Sequence, residues 1–271
     1  MLERLRDPLG FGRPGFERHA RRFDPLLRMD GQRVLITGAS KGLGLAARRA
    51  CESLGATVLD ASRSSGWDLT DPERVRALSQ ELGPVDTLIH NAGVLPGSLQ
   101  RSPEGLELAL SLNLVATHRL TRWIPAPNVI WVSSGGGLTQ KLDVAATFDP
   151  PQPYDGVQQY ARTKRAEIAL CRLWANFDVD RRFAVMHPGW ADTPGVQSSL
   201  PRFHRLTKGM LRTPEQGADT VVWLAASLPL GQLPSGRFWF DRKLADPHPV
   251  PGTRPDQERM GALWSRLEAL L

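Results

Sequence analysis

Arg33-Val34-Leu35-Ile36-Thr37-Gly38-Ala39-Ser40-Lys41-Gly42-Leu43-Gly44 is the stretch that decides the fold. Residues 33–37 are a short β-branched and apolar run, which reads as a buried strand. Glycines follow in the pattern Gly-x-x-x-Gly-x-Gly, and an Ala-, Leu- and Arg-rich helical stretch continues to about Leu54. Strand, glycine-rich turn, helix is the frame that a phosphate-binding loop needs. Glycine lets the backbone turn tightly and approach a pyrophosphate closely. The helix N-terminus adds free N–H groups and a partial positive charge. The bland reading, an ordinary tight turn, does not account for that framing.

Two further stretches carry chemistry. Tyr160 and Lys164 are four residues apart, so on a helix they stack on one face, about one turn apart. An ammonium beside a phenol favours the phenolate and draws its pKa down from about 10. Such a phenol hands a proton to a carbonyl oxygen or takes one from an alcohol. On its own this pair reads as a chance feature of a solvated helix, and its neighbours change that reading. Asn128-Val129-Ile130-Trp131-Val132 reads as another buried strand, ending in Ser133-Ser134-Gly135-Gly136-Gly137. A hydroxyl at the C-terminal end of a parallel strand sits where open α/β sheets bind ligands.

With these residues in view, the chain resembles the short-chain dehydrogenase/reductase family. Thr37 to Gly44 matches its cofactor motif, and Asn91-Ala92-Gly93 matches the motif after its fourth strand. Asn113, Ser134, Tyr160 and Lys164 match its catalytic tetrad. Pro188-Gly189-Trp190-Ala191-Asp192-Thr193 matches the segment beside the nicotinamide. The motifs keep family order from about residue 31 to 240. Four stretches carry a closer likeness to one subgroup without a settled substrate: residues 132–137, 186–196, 215–220 and 234–243.

The resemblance implies roles. Gly38, Ser40, Lys41, Gly42, Leu43 and Gly44 would hold the cofactor, with Asn91, Ala92, Gly93, Pro188, Gly189 and Thr193. Asp68-Leu69 matches the adenine contact. Tyr160 and Lys164 serve cofactor and catalysis alike, and Asn113 supports a water-linked proton relay. Strand alternation turns Ser133 and Ser134 to opposite sides, and the family motif places the functional serine second. An Asp at the Ser62 position would select NAD in this family. Here Ser62-Arg63 and the nearby Lys41 suit a 2′-phosphate, so NADP is expected, with NAD second because Asp60 stands close by.

Composition is ordinary for a globular chain of 271 residues, enough for one full core. A net charge of +6 reads as an Arg-rich surface. No nucleic-acid module accompanies it, so no nucleic-acid partner is expected. No apolar run is long enough to span a membrane. The N-terminus is charged and broken by Pro and Gly, so a cytoplasmic location is expected rather than secretion. Cys51 and Cys171 fall in apolar helical settings, which suits buried free thiols. The 6 His residues lack zinc-site spacing, so no metal is expected.

The expected architecture is a single doubly wound, Rossmann-type α/β domain with a mostly parallel sheet and helices on both faces. Residues 1–30 form an N-terminal arm, in which Phe11, Phe16 and Phe23 alternate with Arg clusters. Packing on the domain is favoured over membrane contact. Residues 31–245 form the catalytic domain, and residues 246–271 a linker and an amphipathic helix of the same domain. The interval from Arg63 to Asp68 is too short for the usual crossover and third strand, so that sheet edge is expected to be trimmed. Helices are predicted over residues 72–82, 104–123, 156–177 and 213–226. A substrate lid covers about residues 194–212, with Val196, Leu200, Phe203, Leu206 and Met210 at helical spacing.

The expected reaction is NAD(P)-dependent hydride transfer between nicotinamide and a small carbonyl or alcohol substrate, with Tyr160 as general acid/base. Two alternatives stand beside it. One is a non-catalytic NADP-binding sensor or scaffold. The other is a peripheral membrane reductase of lipophilic carbonyls. A homo-oligomer through long helices such as that carrying Tyr160 fits the family's habit.

Overall fold

A computed structural model describes residues 8–271. Its centre is a seven-stranded sheet in the order β2-β1-β3-β4-β5-β6-β7. The strands are β1 (Arg33–Thr37), β2 (Thr57–Ala61), β3 (Thr87–His90), β4 (Asn128–Val132), β5 (Arg182–Met186), β6 (Arg237–Phe240) and β7 (Lys243–Leu244). All pair in parallel except β7, which turns back on β6. The register sets Leu35 opposite Leu59 on one side and Leu88 on the other. The chain crosses from β2, over β1, to β3, so the strand order reverses at β1, the crevice position where such sheets take ligands. β2 is the sheet edge: among the described residues, the span between β2 and β3 adds only a 3₁₀ turn (Arg63–Ser65) and one helix.

Alternation along the strands builds two cores. Val34 and Ile36 face one side with Ile130, Val132, Ala184 and Met186. That side is covered by α2 (Gly42–Ser53) and α9 (Pro214–Ser227), through Ala47, Cys51, Val221 and Leu224. Leu35, Leu88, Val129, Trp131 and Phe183 face the other side. There they meet α3 (Pro72–Leu82), α4 (Ala116–Trp123), α5 (Val144–Phe148), α6 (Gly156–Phe177) and α10 (Gln257–Glu268). Each fully buried aliphatic side chain contributes about 1.5–3 kcal/mol. Cys51 and Cys171 are buried free thiols, and burial pushes both pKa values up, Cys51 to about 12.

The helix ends follow local chemistry. Asp71, Asp155 and Asp256 cap α3, α6 and α10, each accepting a hydrogen bond from a first-turn N–H. Thr213 and Gln216 form a reciprocal capping box on α9, with Pro214 in its first turn.

Three elements differ from the sequence expectation. Residues 104–107 are turn and bridge rather than helix, and the helical run, which starts at Leu108, passes through a π-helix at Leu110–Val115 before α4. The lid segment is two short helices, α7 (Pro194–Ser199) and α8 (Pro201–Thr207), not one. Proline at 201 lacks an N–H and pushes Leu200 out of helical backbone, so the helix must restart. The two-residue strand β7 went unread, because its turn uses Asp241 and Arg242 at φ 49 and 56 where Asn-Gly is the usual signal.

Of the arm, residues 1–7 lie outside the described residues. Its remainder carries α1 (Arg13–Ala20), with Phe16 buried beneath it.

Candidate active site

The glycine loop leaves β1 at Gly38 (φ 68) and enters α2 at Gly42 (φ 57), both in backbone that favours glycine. A Cβ on Gly44 would sit 2.2 Å from Gly38 O and 2.5 Å from Asn91 Nδ2, so only glycine lets the loop close there. Asn91 Nδ2 donates to Thr37 O (3.0 Å) and Gly38 O (3.2 Å). Thr37 Oγ1 accepts the N–H groups of Asn91 and Ala92, both at 3.0 Å. Thr37 and Asn91 thus lock the ends of β1 and β3 together. No side chain caps the N-terminus of α2. A tight glycine cradle with an uncapped helix start beside it fits a pyrophosphate.

At the end of β2, Asp60 faces the loop. Its Oδ1 accepts from Ala39 N (3.2 Å) and its Oδ2 from Ser62 Oγ (3.1 Å). Ser62 in turn caps the short 3₁₀ turn (Arg63–Ser65). Arg63 and Lys41 are both exposed, and no ion pair holds either of them among the described residues. Asp68 Oδ1 accepts from the N–H and hydroxyl of Thr70, which fixes the turn leading past the buried Leu69 to α3. Leu43 packs its side chain toward Gly217 of α9, and Ser40 stands exposed.

The four candidate catalytic residues come from three elements, and two of them, Asn113 and Lys164, meet beside Gly93. A Cβ placed there would lie 3.4 Å from Lys164 Nζ and 3.5 Å from Asn113 Oδ1. Asn113 sits inside the π-helix, where one extra residue per turn re-aims a side chain, a frequent device at functional sites. Its Oδ1 accepts from Val94 N (2.9 Å), and its Nδ2 donates to Val94 O (3.1 Å) and Thr163 Oγ1 (3.0 Å). Ser133 is buried and donates to Lys164 O at 2.8 Å. Ser134 is half-buried and caps the next turn by accepting Gly136 N. Its Oγ shares the space around Gly136 with Ala161, the neighbour of Tyr160. Tyr160 is half-buried, with Lys164 Nζ 5.7 Å from its ring centre.

Lys164 is fully enclosed. Its Nζ donates to Val132 O (3.0 Å) and to Glu167 Oε1 (2.6 Å). Burial works against the ammonium, but Glu167 and Tyr160 outweigh it and raise its pKa. Burial likewise pushes the Glu167 carboxyl up to about 7, against the pull of Lys164. The sequence reading missed Glu167, although i to i+3 spacing on the same helix face announces the contact. It also gave Thr37 no role beyond the motif.

The segment from Pro188 to Thr193 closes the other wall. Thr193 caps α7, and Thr193 and Pro194 lie against Gly42 of the glycine loop. Ser199 donates to Leu95 O (3.2 Å), so α7 reaches across to the loop after β3. Trp190 meets Phe203 of α8 edge-on at 5.4 Å. Behind this wall, Arg212 is buried and binds Asp241 through two N–H···O contacts (2.6 and 3.0 Å). The same guanidinium donates to Gly10 O and Gly12 O of the arm and to Pro188 O. Phe11 stacks on Trp190 and lies tilted against His187, and its carbonyl accepts Trp190 N. The arm therefore braces the Pro188–Thr193 wall from outside, a contact that residues some 200 positions apart cannot announce.

A shallow cavity of about 420 Å³ lies at the opposite, N-terminal edge of the sheet, lined by Arg33, Pro84, Asp86 and Arg181. Both guanidinium groups there bind backbone carbonyls, so the cavity is part of the frame. Among the described residues no cluster of His, Cys, Asp and Glu could hold a metal ion, and no helix is long and apolar enough to cross a membrane.

Residues 34–223 match the model of the NAD dependent epimerase/dehydratase family. Dehydrogenase/reductase SDR family member 12 from Homo sapiens is 33% identical, over 88% of this chain and 86% of that protein. Among solved structures, an uncharacterised protein from Mycobacterium paratuberculosis superposes with a TM-score of 0.71 at 22% identity, covering 90% of this chain and 95% of that one. A gluconate 5-dehydrogenase from Burkholderia cenocepacia, in complex with NADP and tartrate, gives a TM-score of 0.59 at 18% identity, covering 79% and 94%.

Proposed function

The chain belongs to the short-chain dehydrogenase/reductase family, a family of NAD(P)-dependent oxidoreductases, and from that premise we propose that it interconverts a carbonyl compound and its alcohol with NADP. The observation that carries the reading is the convergence beside Gly93: Asn113 and Lys164 share one small volume, with Tyr160 against the lysine and Ser134 in the turn that packs on Ala161 of the same helix.

When bound, a nicotinamide supplies or accepts the hydride. Glycines 38, 42 and 44 and the start of α2 would hold its pyrophosphate. Ser62, Arg63 and Lys41 would hold the 2′-phosphate, with Asp68 and Leu69 at the adenine. Asn91 to Gly93, Pro188, Gly189 and Thr193 would line the nicotinamide half. The preference for NADP rests on Asp60. Both of its oxygens already accept hydrogen bonds within the loop, whereas Arg63 and Lys41 stand exposed.

In reduction, the Tyr160 hydroxyl gives its proton to the carbonyl oxygen, and in oxidation the phenolate takes it back. Ser134 donates to the same oxygen and fixes its direction. The Lys164 cation stabilises negative charge on the phenol. Asn113 ties the π-helix to Val94 and to α6, which keeps the lysine and the loop after β3 in register. The segment α7–α8, with Trp190 and Phe203, covers the site and favours apolar carbonyl compounds. Its apolar residues and the basic arm also suit lipophilic substrates drawn from a membrane surface.

The test is oxidation of NADPH and of NADH by purified protein across aldehydes, ketones, quinones and steroid- or retinoid-like carbonyls. Turnover that favours NADPH is expected. Tight NADPH binding with no turnover on any class would favour the sensor reading instead.

A further inference from the structure

Glu167 has no part in the proton transfer just described, yet it holds the lysine on which that transfer depends. We infer that Glu167 is a positioning residue, which anchors the Lys164 ammonium inward and sets a buried negative charge against the cation facing Tyr160. The inference rests on the reading of Tyr160 as proton donor.

The geometry is specific. Lys164 Nζ and Glu167 Oε1 are 2.6 Å apart, with side-chain exposures of 3% and 2%. The ammonium already has a backbone anchor in Val132 O. A neutral acceptor could serve as the second anchor, and a buried ion pair is weak support for stability. The other oxygen of the carboxyl, Oε2, is buried with no hydrogen-bond partner. Leaving a buried acceptor unpaired costs stability. An apolar side chain of similar volume would avoid that cost.

Charge is what distinguishes the carboxylate. With Glu167 ionised, the Lys164–Glu167 pair sums to zero beneath Tyr160. With Glu167 protonated, the pair presents a full positive charge. A carboxyl pushed by burial to about 7 passes between these states near neutrality. Protonation of Glu167 therefore strengthens the pull on the phenol, and ionisation weakens it.

The other groups around the pair leave this balance alone. From β3, His90 is buried and held neutral, its pKa lowered to about 3 by burial and by the charges of Arg181 and Lys164. From β4, Ser133 is uncharged, and its hydroxyl donates to Lys164 O. Asn113 from the π-helix is neutral. Arg165, on α6 itself, points away to Pro247 O, His248 and Thr253 O.

The chain holds only 2 tyrosines, Tyr154 and Tyr160, which gives a direct readout. The full-length protein is labelled with ¹³C at the tyrosine Cζ and titrated by NMR, free and with NADP⁺ added. Tyr160→Phe assigns the two signals. In Glu167→Gln, which keeps an oxygen for Nζ but removes the charge, the Tyr160 signal is expected to titrate about one pH unit lower than in wild type. Glu167→Met should move it the same way. The Tyr154 signal, bonded to Glu107 and away from the pair, should stay in place and report an intact fold.

Superimposable Tyr160 titrations in a folded variant would overturn the inference. Should both variants unfold, the wild-type Tyr160 signal must itself show a step near pH 7, and a flat curve there would overturn it equally. With an active substrate, Glu167→Gln should shift the pH limb assigned to Tyr160 downward by a similar amount, with the cofactor KM changed less than twofold. A uniform loss at every pH would mark a merely structural residue. Absence of any Tyr160-dependent turnover would defeat the proposed reaction while leaving the NMR comparison valid.

Discussion

A single carboxylate decides how the cofactor question is read. From the sequence, Asp60 was the reason to keep NAD in view, because an acid at the end of β2 is the usual ribose contact. In the fold both of its oxygens accept hydrogen bonds, from Ala39 N and from Ser62 Oγ. Arg63, like Lys41, is a nearby exposed cation without an ion pair among the described residues. Arg63→Ala should therefore raise the KM for NADPH about tenfold, equivalent to roughly 1.4 kcal/mol, and leave NADH nearly unchanged. Steady-state kinetics with both cofactors would check this; equal losses would mean Arg63 does not read the 2′ position. The spacing of Tyr160 and Lys164 was legible in the sequence, and the family resemblance, not spacing, singled out Asn113 and Ser134. Asp60 was not legible in the same way, because its partners depend on where the glycine loop turns back over β2.

The elements that shape the site are the π-helix, the lid and the arm. A π-turn has no sequence signature that periodicity detects, so Asn113 was placed on the right helix with the wrong local geometry. The break at Pro201 was visible in the sequence and outweighed by an apolar stripe that spans it. The arm's aromatic residues were visible too, but their partners were not. Arg212 joins arm, wall and sheet, and its loss would leave Asp241 buried and short of its main partner. Burial opposes the Asp241 carboxylate, but His19 and Arg212 outweigh it and hold its pKa below the usual value. That stabilisation is present above the unfolded pKa of about 3.9 and is lost only as pH falls through the lower folded value. Arg212→Ala at neutral pH should destabilise the protein by about 3–5 kcal/mol. Urea unfolding reads this directly, and a change under about 1 kcal/mol would show that the arm is not braced through Arg212.

At the scale of the molecule, the order of strands followed from order in the sequence: the motifs appear in sequence, and parallel α/β units leave few ways to wind them. The trimmed edge was legible because six residues cannot cross a sheet. Buried histidines were not legible, since burial is a property of the assembled layers. His90 lies inside the sheet, and His187 lies under Phe11 and Phe240. Burial lowers both pKa values to about 3, helped by Arg181 and Lys164 at His90 and by Arg212 at His187. Unfolded histidine titrates near 6.5. Between about 6.5 and 3 the unfolded chain therefore binds protons that the folded chain refuses, so stability falls as pH falls. Each histidine contributes a slope of up to about 1.4 kcal/mol per pH unit. The melting temperature should hold above pH 7 and drop steadily from pH 6.5 to 5. A flat profile over that range would contradict the neutral, buried assignment.

The central claim is that Tyr160 moves the proton while the rest of the site holds the cofactor. The measurement that tests it most directly compares wild type and Tyr160→Phe for NADPH affinity, by calorimetric titration, and for turnover of one reducible carbonyl. The account predicts an NADPH Kd within about threefold of wild type and a kcat lower by about 10²–10⁴. Turnover that survives the loss of the phenol would contradict it.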